Sequence, residues 1–400
     1  MPDFKFLQKI LPRVYSFIPY YLFPETSLPP FQAFFEVTYR CNLRCEMCHY
    51  LEIIEDTESQ RKYKQELTTE EVKRVIAAIP RYTLITFTGG EAFMKADFMD
   101  ILKFAAAKHK VHVITNGTLL TEQTVEELMR LRVRNVLGSG MFYLGVSLEG
   151  SEALHDRITT LPGSFRKTTA GLERLMNRRR ALNSLYPLVH LTCVINRANV
   201  LDLVPLYDYA NDLGVNVCNF VLENTATYWH ARDYNQDQHL QIPPKPVAEI
   251  SAVVLREQLA QLVARSRSYQ TKLRFSPNYI TPEEIVRYYS NESSYQDYRC
   301  HVPWSKIAFT AYGDVFSCPH VRLGSIGDKG ESPWYSQRAR EFRKLLKKEK
   351  IFPGCLGCCQ SEYIGPKNAG PELIRIKTRE QILKRVPGKD LATQPTNCNG

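Results

Sequence analysis

Cys41, Cys45 and Cys48 stand together in the run Cys41-Asn42-Leu43-Arg44-Cys45-Glu46-Met47-Cys48, directly after a strand-like stretch from Phe34 to Tyr39. Three thiolates at this spacing can hold three irons of a cubane cluster. A [4Fe–4S] cluster has a fourth iron, which is then open to bind something other than protein; a cluster held by four thiolates offers no such position. The alternative occupant is zinc, but zinc sites are usually built from paired C-x2-C knuckles with a fourth Cys or His close by. The open iron is where chemistry would start.

A second thiol set lies near the other end. Cys300, Gly313 and Cys318 give C-x12-G-x4-C, and Cys355 with Cys358 gives C-x2-C. Four thiolates fully ligate one further [4Fe–4S] cluster, or a tetrahedral zinc. Cys359, beside Cys358, is an alternative fourth ligand. Cys193 and Cys218 fall on strand-like stretches and are candidates for returning a hydrogen atom to a carbon radical, although a buried free Cys is usually a small apolar residue.

The elements that must position these groups read as parallel βα units. From 33 to 222 the sequence alternates apolar strand-like runs with helical patterns. Strands are predicted at Phe34–Tyr39, Leu84–Thr88, Val111–Thr115, Phe142–Leu148, Leu188–Ile195 and Val215–Leu222. Thr68 with Glu71 forms a capping box ahead of Val72, Val75 and Ile76, and Thr121 opens another helix. The fold class is therefore α/β, a partial (β/α)6 TIM-like barrel. In such barrels ligands bind where the loops converge at the carboxyl ends of the strands. The cysteine loop follows the first strand, Gly89-Gly90-Glu91 the second, Asn116-Gly117 the third, Ser147-Leu148-Glu149-Gly150 the fourth and Asn196 the fifth. The chain divides into a basic amphipathic segment (1–32), the barrel (33–222), a helical connector (223–299), a small cysteine-bearing domain (300–365) and a polar tail (366–400).

The triad and the ordered motifs after it resemble the radical S-adenosylmethionine (SAM) enzymes. The C-terminal set resembles the shortened SPASM domain called Twitch. The resemblance implies that the open iron chelates SAM and that the reduced cluster cleaves it to a 5′-deoxyadenosyl radical, which takes a hydrogen atom from substrate. It implies SAM contacts at Gly89, Gly90, Glu91, Ser147, Glu149 and Asn196, an auxiliary [4Fe–4S] cluster able to accept an electron, and a flavodoxin- or ferredoxin-type donor. Two positions depart from the family pattern: Ala92 replaces the usual Pro, and Thr159 stands where an Arg pairs with the SAM carboxylate, leaving Arg157 or Arg166 as substitutes.

Composition narrows the setting. Eleven Cys without a typical signal peptide fit a reducing cytoplasm. The net charge of +10 suits an anionic substrate, an acidic donor or an anionic membrane surface. Lys5, Lys9 and Arg13 recur among apolar residues in the first 24 positions, a pattern for peripheral membrane contact or for a cap on the barrel floor. No aromatic and basic stripe marks a nucleic-acid partner. Glu223, Asn224, Tyr228 and His230 follow the sixth strand and are candidates for substrate contact. The leading expectation is oxidation of a small metabolite, sugar or lipid-linked compound. A peptide maturase and a radical epimerase are alternatives within the same chemistry, and a zinc-binding protein is the alternative outside enzymology.

Overall fold

The computed structural model describes residues 14–55 and 65–361 apart from 136, 226–237, 244, 279, 295 and 297. Ten strands form one sheet. They are β1 (Gln32–Thr38), β2 (Leu84–Gly89), β3 (Lys110–Thr115), β4 (Gly140–Ser147), β5 (Leu188–Ile195), β6 (Val217–Leu222), β7 (Lys272–Ser276), β8 (Lys306–Phe309), β9 (Asp314–Cys318) and β10 (Val321–Ser325). Their spatial order is β10-β9-β8-β1-β2-β3-β4-β5-β6-β7. From β8 through β7 every pairing is parallel, and β8-β9-β10 is an antiparallel meander.

The parallel strands have two different faces. Val111, Val113, Leu144, Val146, Val189, Leu191 and Phe220 share one core with Leu128, Leu172 and Leu206 of the surrounding helices. Residues of the opposite parity, among them His112, Tyr143, Ser147, Thr192 and Val221, stay partly reached by solvent. Parallel strands covered on both sides read as unbroken apolar runs. Here alternate positions are polar, because the inner face lines an open lumen.

Helix starts follow local chemistry. Thr68 and Glu71 form the predicted capping box ahead of Thr69–Ala78, and Thr121 caps Glu122–Arg130. A second capping box, Thr281 with Glu284, starts Pro282–Tyr289 with Pro at the position where its missing N–H costs nothing.

The architecture exceeds the six predicted strands. β7 lies in the stretch read as a helical connector and pairs in parallel with β6 from Val217↔Lys272 to Val221↔Ser276. β8 pairs in parallel with β1 from Gln32↔Lys306 to Phe35↔Phe309. The cysteine-bearing C-terminal segment therefore continues the barrel sheet. Ahead of β1, a helix over 14–22 packs at the amino-terminal end of the strands: the Tyr20 ring lies 3.9 Å from that of His301 and 4.9 Å from that of Trp304, whose indole N–H donates to Pro24 O at 3.1 Å. This segment caps the floor, while Ile18, Leu22 and Phe23 remain 44%, 65% and 60% exposed. Among the described residues no helix is long and apolar enough to cross a membrane. Residues 1–13 and the tail 366–400 lie outside the described residues.

Candidate active site

The triad loop is tied down on two sides. The Asn42 side chain donates to Thr118 Oγ1 at 2.9 Å and accepts from Asn116 Nδ2 at 2.9 Å, both just beyond β3. On the other side Arg44 N donates to Thr159 O and Glu46 N to Ile158 O, at the end of the helix Glu152–Thr159. Burial pushes all three thiols above their ordinary pKa, and for Cys45 the neighbouring Glu149, Cys48 and Cys41 push further in the same direction. Thiols that resist ionising alone are deprotonated outright when they ligate a metal. Among the described residues no three His, Cys, Asp or Glu side chains are already closed into a metal-binding array. The fit rests on the donor set: three half-buried thiols on one braced loop at the carboxyl end of β1, as a three-thiolate cluster needs.

Gly89 and Gly90 are required by the first strand. Gly90 N donates to Thr38 O and Glu91 N to Arg40 O, each at 2.8 Å. A Cβ at Gly89 would stand 2.3 Å from Thr38 O, and one at Gly90 2.3 Å from Arg40 O. Two glycines let the loop after β2 lie against the backbone that leads into the triad.

The acid after them braces the sheet. Fully buried Glu91 accepts from Asn116 N at 2.7 Å, Thr115 Oγ1 at 2.9 Å and Phe93 N at 3.2 Å, so its carboxylate staples β2 to β3. Glu149 does the same between β4 and β5, accepting from Val194 N at 2.9 Å, and burial pushes its pKa up to about 7. In the same corner His155 Nδ1 accepts from Glu149 N at 3.1 Å, and Asn199, which sequence reasoning missed, donates to Glu149 O and Val194 O. Asn196 caps its own turn by accepting from Ala198 N and Asn199 N. Ser147 ends β4 on the lumen face. Arg166 pairs with Glu152 at 2.6 Å on the surface.

Cys193 and Cys218 do not face the lumen. Both are fully buried and share the outward parity of Leu191 and Phe220, under the helices. A hydrogen atom cannot be handed from there to a radical inside the barrel.

In the C-terminal set, Cys300, Cys318 and Cys355 pack together, and after burial the charges that raise the Cys355 pKa are those of Cys318, Cys300 and Cys358. Cys359 acts on Cys358 and on Tyr288, and Lys306 acts on both adjacent thiols. Of the two adjacent thiols, Cys358 is the one whose charge acts on Cys355. The loop carrying it meets the barrel mouth: Gly357 packs against Tyr288 and Thr225, and the Tyr288 hydroxyl donates to Glu223 O at 2.8 Å. Glu223 N donates to Tyr289 Oη at 3.0 Å, and burial raises the pKa of the Glu223 carboxyl. Asn224 follows it at the same mouth; Tyr228 and His230 lie outside the described residues.

Comparison with known proteins agrees with this geometry. Residues 35–194 match the family model of the radical SAM superfamily, and residues 300–359 that of the SPASM iron-sulfur cluster-binding domain. The AdoMet-dependent heme synthase of Methanosarcina barkeri is 32% identical over 184 residues, 45% of this chain and 46% of that protein. The chain spans less than half the length of the first curated relatives it matches. Longer matches are the antilisterial bacteriocin subtilosin biosynthesis protein AlbA of Bacillus subtilis, 29% identical over 82% of this chain and 67% of its own, and a tungsten-containing aldehyde ferredoxin oxidoreductase cofactor-modifying protein of Pyrococcus furiosus, 24% identical over 81% and 86%. In fold, SuiB of Streptococcus suis bound to precursor peptide SuiA superposes with a TM-score of 0.57 at 14% identity, covering 88% of this chain and 75% of that one.

Proposed function

The chain belongs to the radical SAM superfamily, in its SPASM-bearing branch, and from that premise we propose that it carries out a net two-electron oxidation of a substrate carbon held in the barrel lumen. The family assignment brings a [4Fe–4S] cluster, SAM and auxiliary iron-sulfur ligation with it. Cys41, Cys45 and Cys48 would hold the first cluster, with the backbone of 89–90 and Ser147 toward SAM; Cys300, Cys318, Cys355 and Cys358 would hold one auxiliary cluster. When bound, these groups supply a 5′-deoxyadenosyl radical on one side and an electron acceptor on the other.

The chain's own residues account for the remaining steps. Once a hydrogen atom has left the substrate carbon, a carbonyl or double bond forms when one proton and one electron also leave. Glu223 stands at the barrel mouth with a raised pKa, suited to take the proton. The auxiliary cluster that Cys300, Cys318, Cys355 and Cys358 would hold would supply the acceptor for that electron. The observation that carries this reading is the contact of Gly357, inside the Cys355–Cys358 loop, with Thr225 just after β6 and with Tyr288 on the helix Pro282–Tyr289. It supports an electron acceptor lying close to the substrate. The burial of Cys193 and Cys218 in the core with Leu191 and Phe220 favours oxidation over an epimerase reading.

The substrate class proposed is a small metabolite, sugar or lipid-linked compound. Peptide modification is the second reading, favoured by the likeness to AlbA along 82% of the chain. The test is anaerobic reconstitution with iron and sulfide, reduction with dithionite and assay of 5′-deoxyadenosine from SAM. About eight irons per chain are expected, with nucleoside formation abolished by Cys45→Ala and retained in Cys355→Ala. Zinc in place of iron and intact SAM would overturn it.

A further inference from the structure

The inner face of the barrel carries a basic group that neither cluster nor SAM explains. Arg274 sits on β7, the outermost parallel strand, and points inward with the parity of Asn219, to whose Oδ1 its Nε donates at 2.8 Å. Ser276 donates to the same oxygen at 2.9 Å, so Asn219 is fully engaged in aiming the guanidinium. Arg274 is exposed by surface area, yet burial lowers its pKa. Both hold for a side chain that lines an internal, solvent-filled cavity. Its charge reaches Tyr143 on β4, His190 on β5 and His112 on β3. Across a flat sheet β3 and β7 would be about 19 Å apart; the curvature of the barrel brings them to face one another.

The three partners form a packed group. The Tyr143 and His190 rings are 4.7 Å apart, those of His112 and Tyr143 5.7 Å, and those of His112 and His190 5.9 Å. Burial, then the Arg274 charge, lowers the pKa of both imidazoles, which keeps them neutral, each with one N–H to donate. His112 Nε2 is buried and has no hydrogen-bond partner among the described residues. A Cβ at position 145 would stand 3.3 Å from it, so Gly145 keeps the space in front of that nitrogen clear. No carboxylate pairs with Arg274 among the described residues, so its charge is not neutralised by a neighbouring acid there.

We infer that the lumen holds an oxyanion site, formed by Arg274 with His112, His190 and Tyr143, that receives a carboxylate or phosphate group of the substrate. The inference rests on the reading of the lumen as the substrate chamber and narrows the substrate to an anion. Tyr143 lies four residues before Ser147 on β4, so the site sits about 13 Å of strand below the ring of loops. The anionic group is the anchor, and the reacting carbon lies nearer the mouth.

The experiment uses the full reconstituted chain labelled with 13C-histidine, titrated separately with inorganic phosphate and with acetate while the imidazole resonances of His112 and His190 are followed. Saturating shifts are expected for at least one anion, weakened about ten- to a hundredfold in Arg274→Gln, partly restored in Arg274→Lys, and weakened to a smaller extent in Tyr143→Phe. Saturation by phosphate alone identifies a phosphorylated substrate, and by acetate a carboxylate. Absence of saturation in the wild type, or equal binding by Arg274→Gln, overturns the inference. Formation of 5′-deoxyadenosine in the same samples separates the two readings: if it persists while anion binding fails, only the oxyanion site is lost.

Discussion

A Cβ atom on Gly357 would stand 2.5 Å from the Tyr288 hydroxyl and 2.6 Å from Thr225 Oγ1, and the glycine itself has a φ of +82°. Space and backbone conformation both forbid a larger residue. Gly357→Ala is therefore expected to displace the Cys355–Cys358 loop. Iron should fall from about eight to about four per chain, while SAM cleavage at the distant triad continues.

The loop after β2 has the matching constraint. Gly90→Ala would drive a methyl group into Arg40 O, one residue before Cys41. Iron analysis should show loss of the other cluster, about four irons per chain, and 5′-deoxyadenosine should disappear. A variant that keeps both would show that the close approach is not what positions the triad.

Glu223 must be deprotonated to act as a base, and burial raises its pKa. Product formation should therefore fall as pH drops through that raised value, at a higher pH than an ordinary glutamate would give. Glu223→Gln is expected to lower product formed per 5′-deoxyadenosine by about 10²–10⁴. An unchanged ratio across the pH range would remove Glu223 from the reaction.

Asp156 accepts from Gly163 N at 2.5 Å, Phe165 N at 2.8 Å and Ser164 Oγ at 2.9 Å, bracing the helix end on which the triad loop is docked. Despite some desolvation, the hydrogen bonds hold its pKa below the usual value. A depressed carboxylate contributes stability that is present above the unfolded value, near 3.9, and lost as pH falls through the folded one. Asp156→Ala should cost about 1 kcal/mol at pH 7, with the deficit closing under acid. Denaturant melts at both pH values measure it.

Exposed Ile18, Leu22 and Phe23 beside the basic helix Gln337–Glu349 fit a peripheral contact with anionic lipid. Cosedimentation with anionic vesicles, lost in Leu22→Glu/Phe23→Glu and absent with neutral vesicles, is the expected result. Equal recovery of both proteins with vesicles would assign the segment solely to the floor.

What the sequence made legible was periodicity and spacing. β5 was readable to its ends because Leu188–Ile195 is a mostly apolar run rich in β-branched residues, interrupted only by His190 and Thr192, with a proline before it. β7 was not, since Lys272-Leu273-Arg274-Phe275-Ser276 has the alternation of a short exposed strand, and the reason for Arg274, an open lumen, exists only once the sheet curves. The positions Glu91 and Glu149 were visible from their motifs. The direction of their carboxylates was not, because it depends on the amides of Asn116, just beyond β3, and of Val194 on β5. Cys193 and Cys218 show the same limit: a period of two fixes that neighbours alternate, and only the packed helices decide which parity is inside.

The pairing of β1 with β8 also bears on how the chain is made. Strand β1 hydrogen-bonds along one edge to a segment that begins at Lys306. During synthesis that edge emerges early and waits for about two thirds of the chain before its partner arrives. Until then it is an open template for pairing with other chains, and contacts this far apart in sequence form slowly. Truncation before residue 306 would leave the barrel with a permanent raw edge next to the triad, so fragments cut at the apparent domain boundary should aggregate, and slower translation or cold induction should favour recovery of the intact protein.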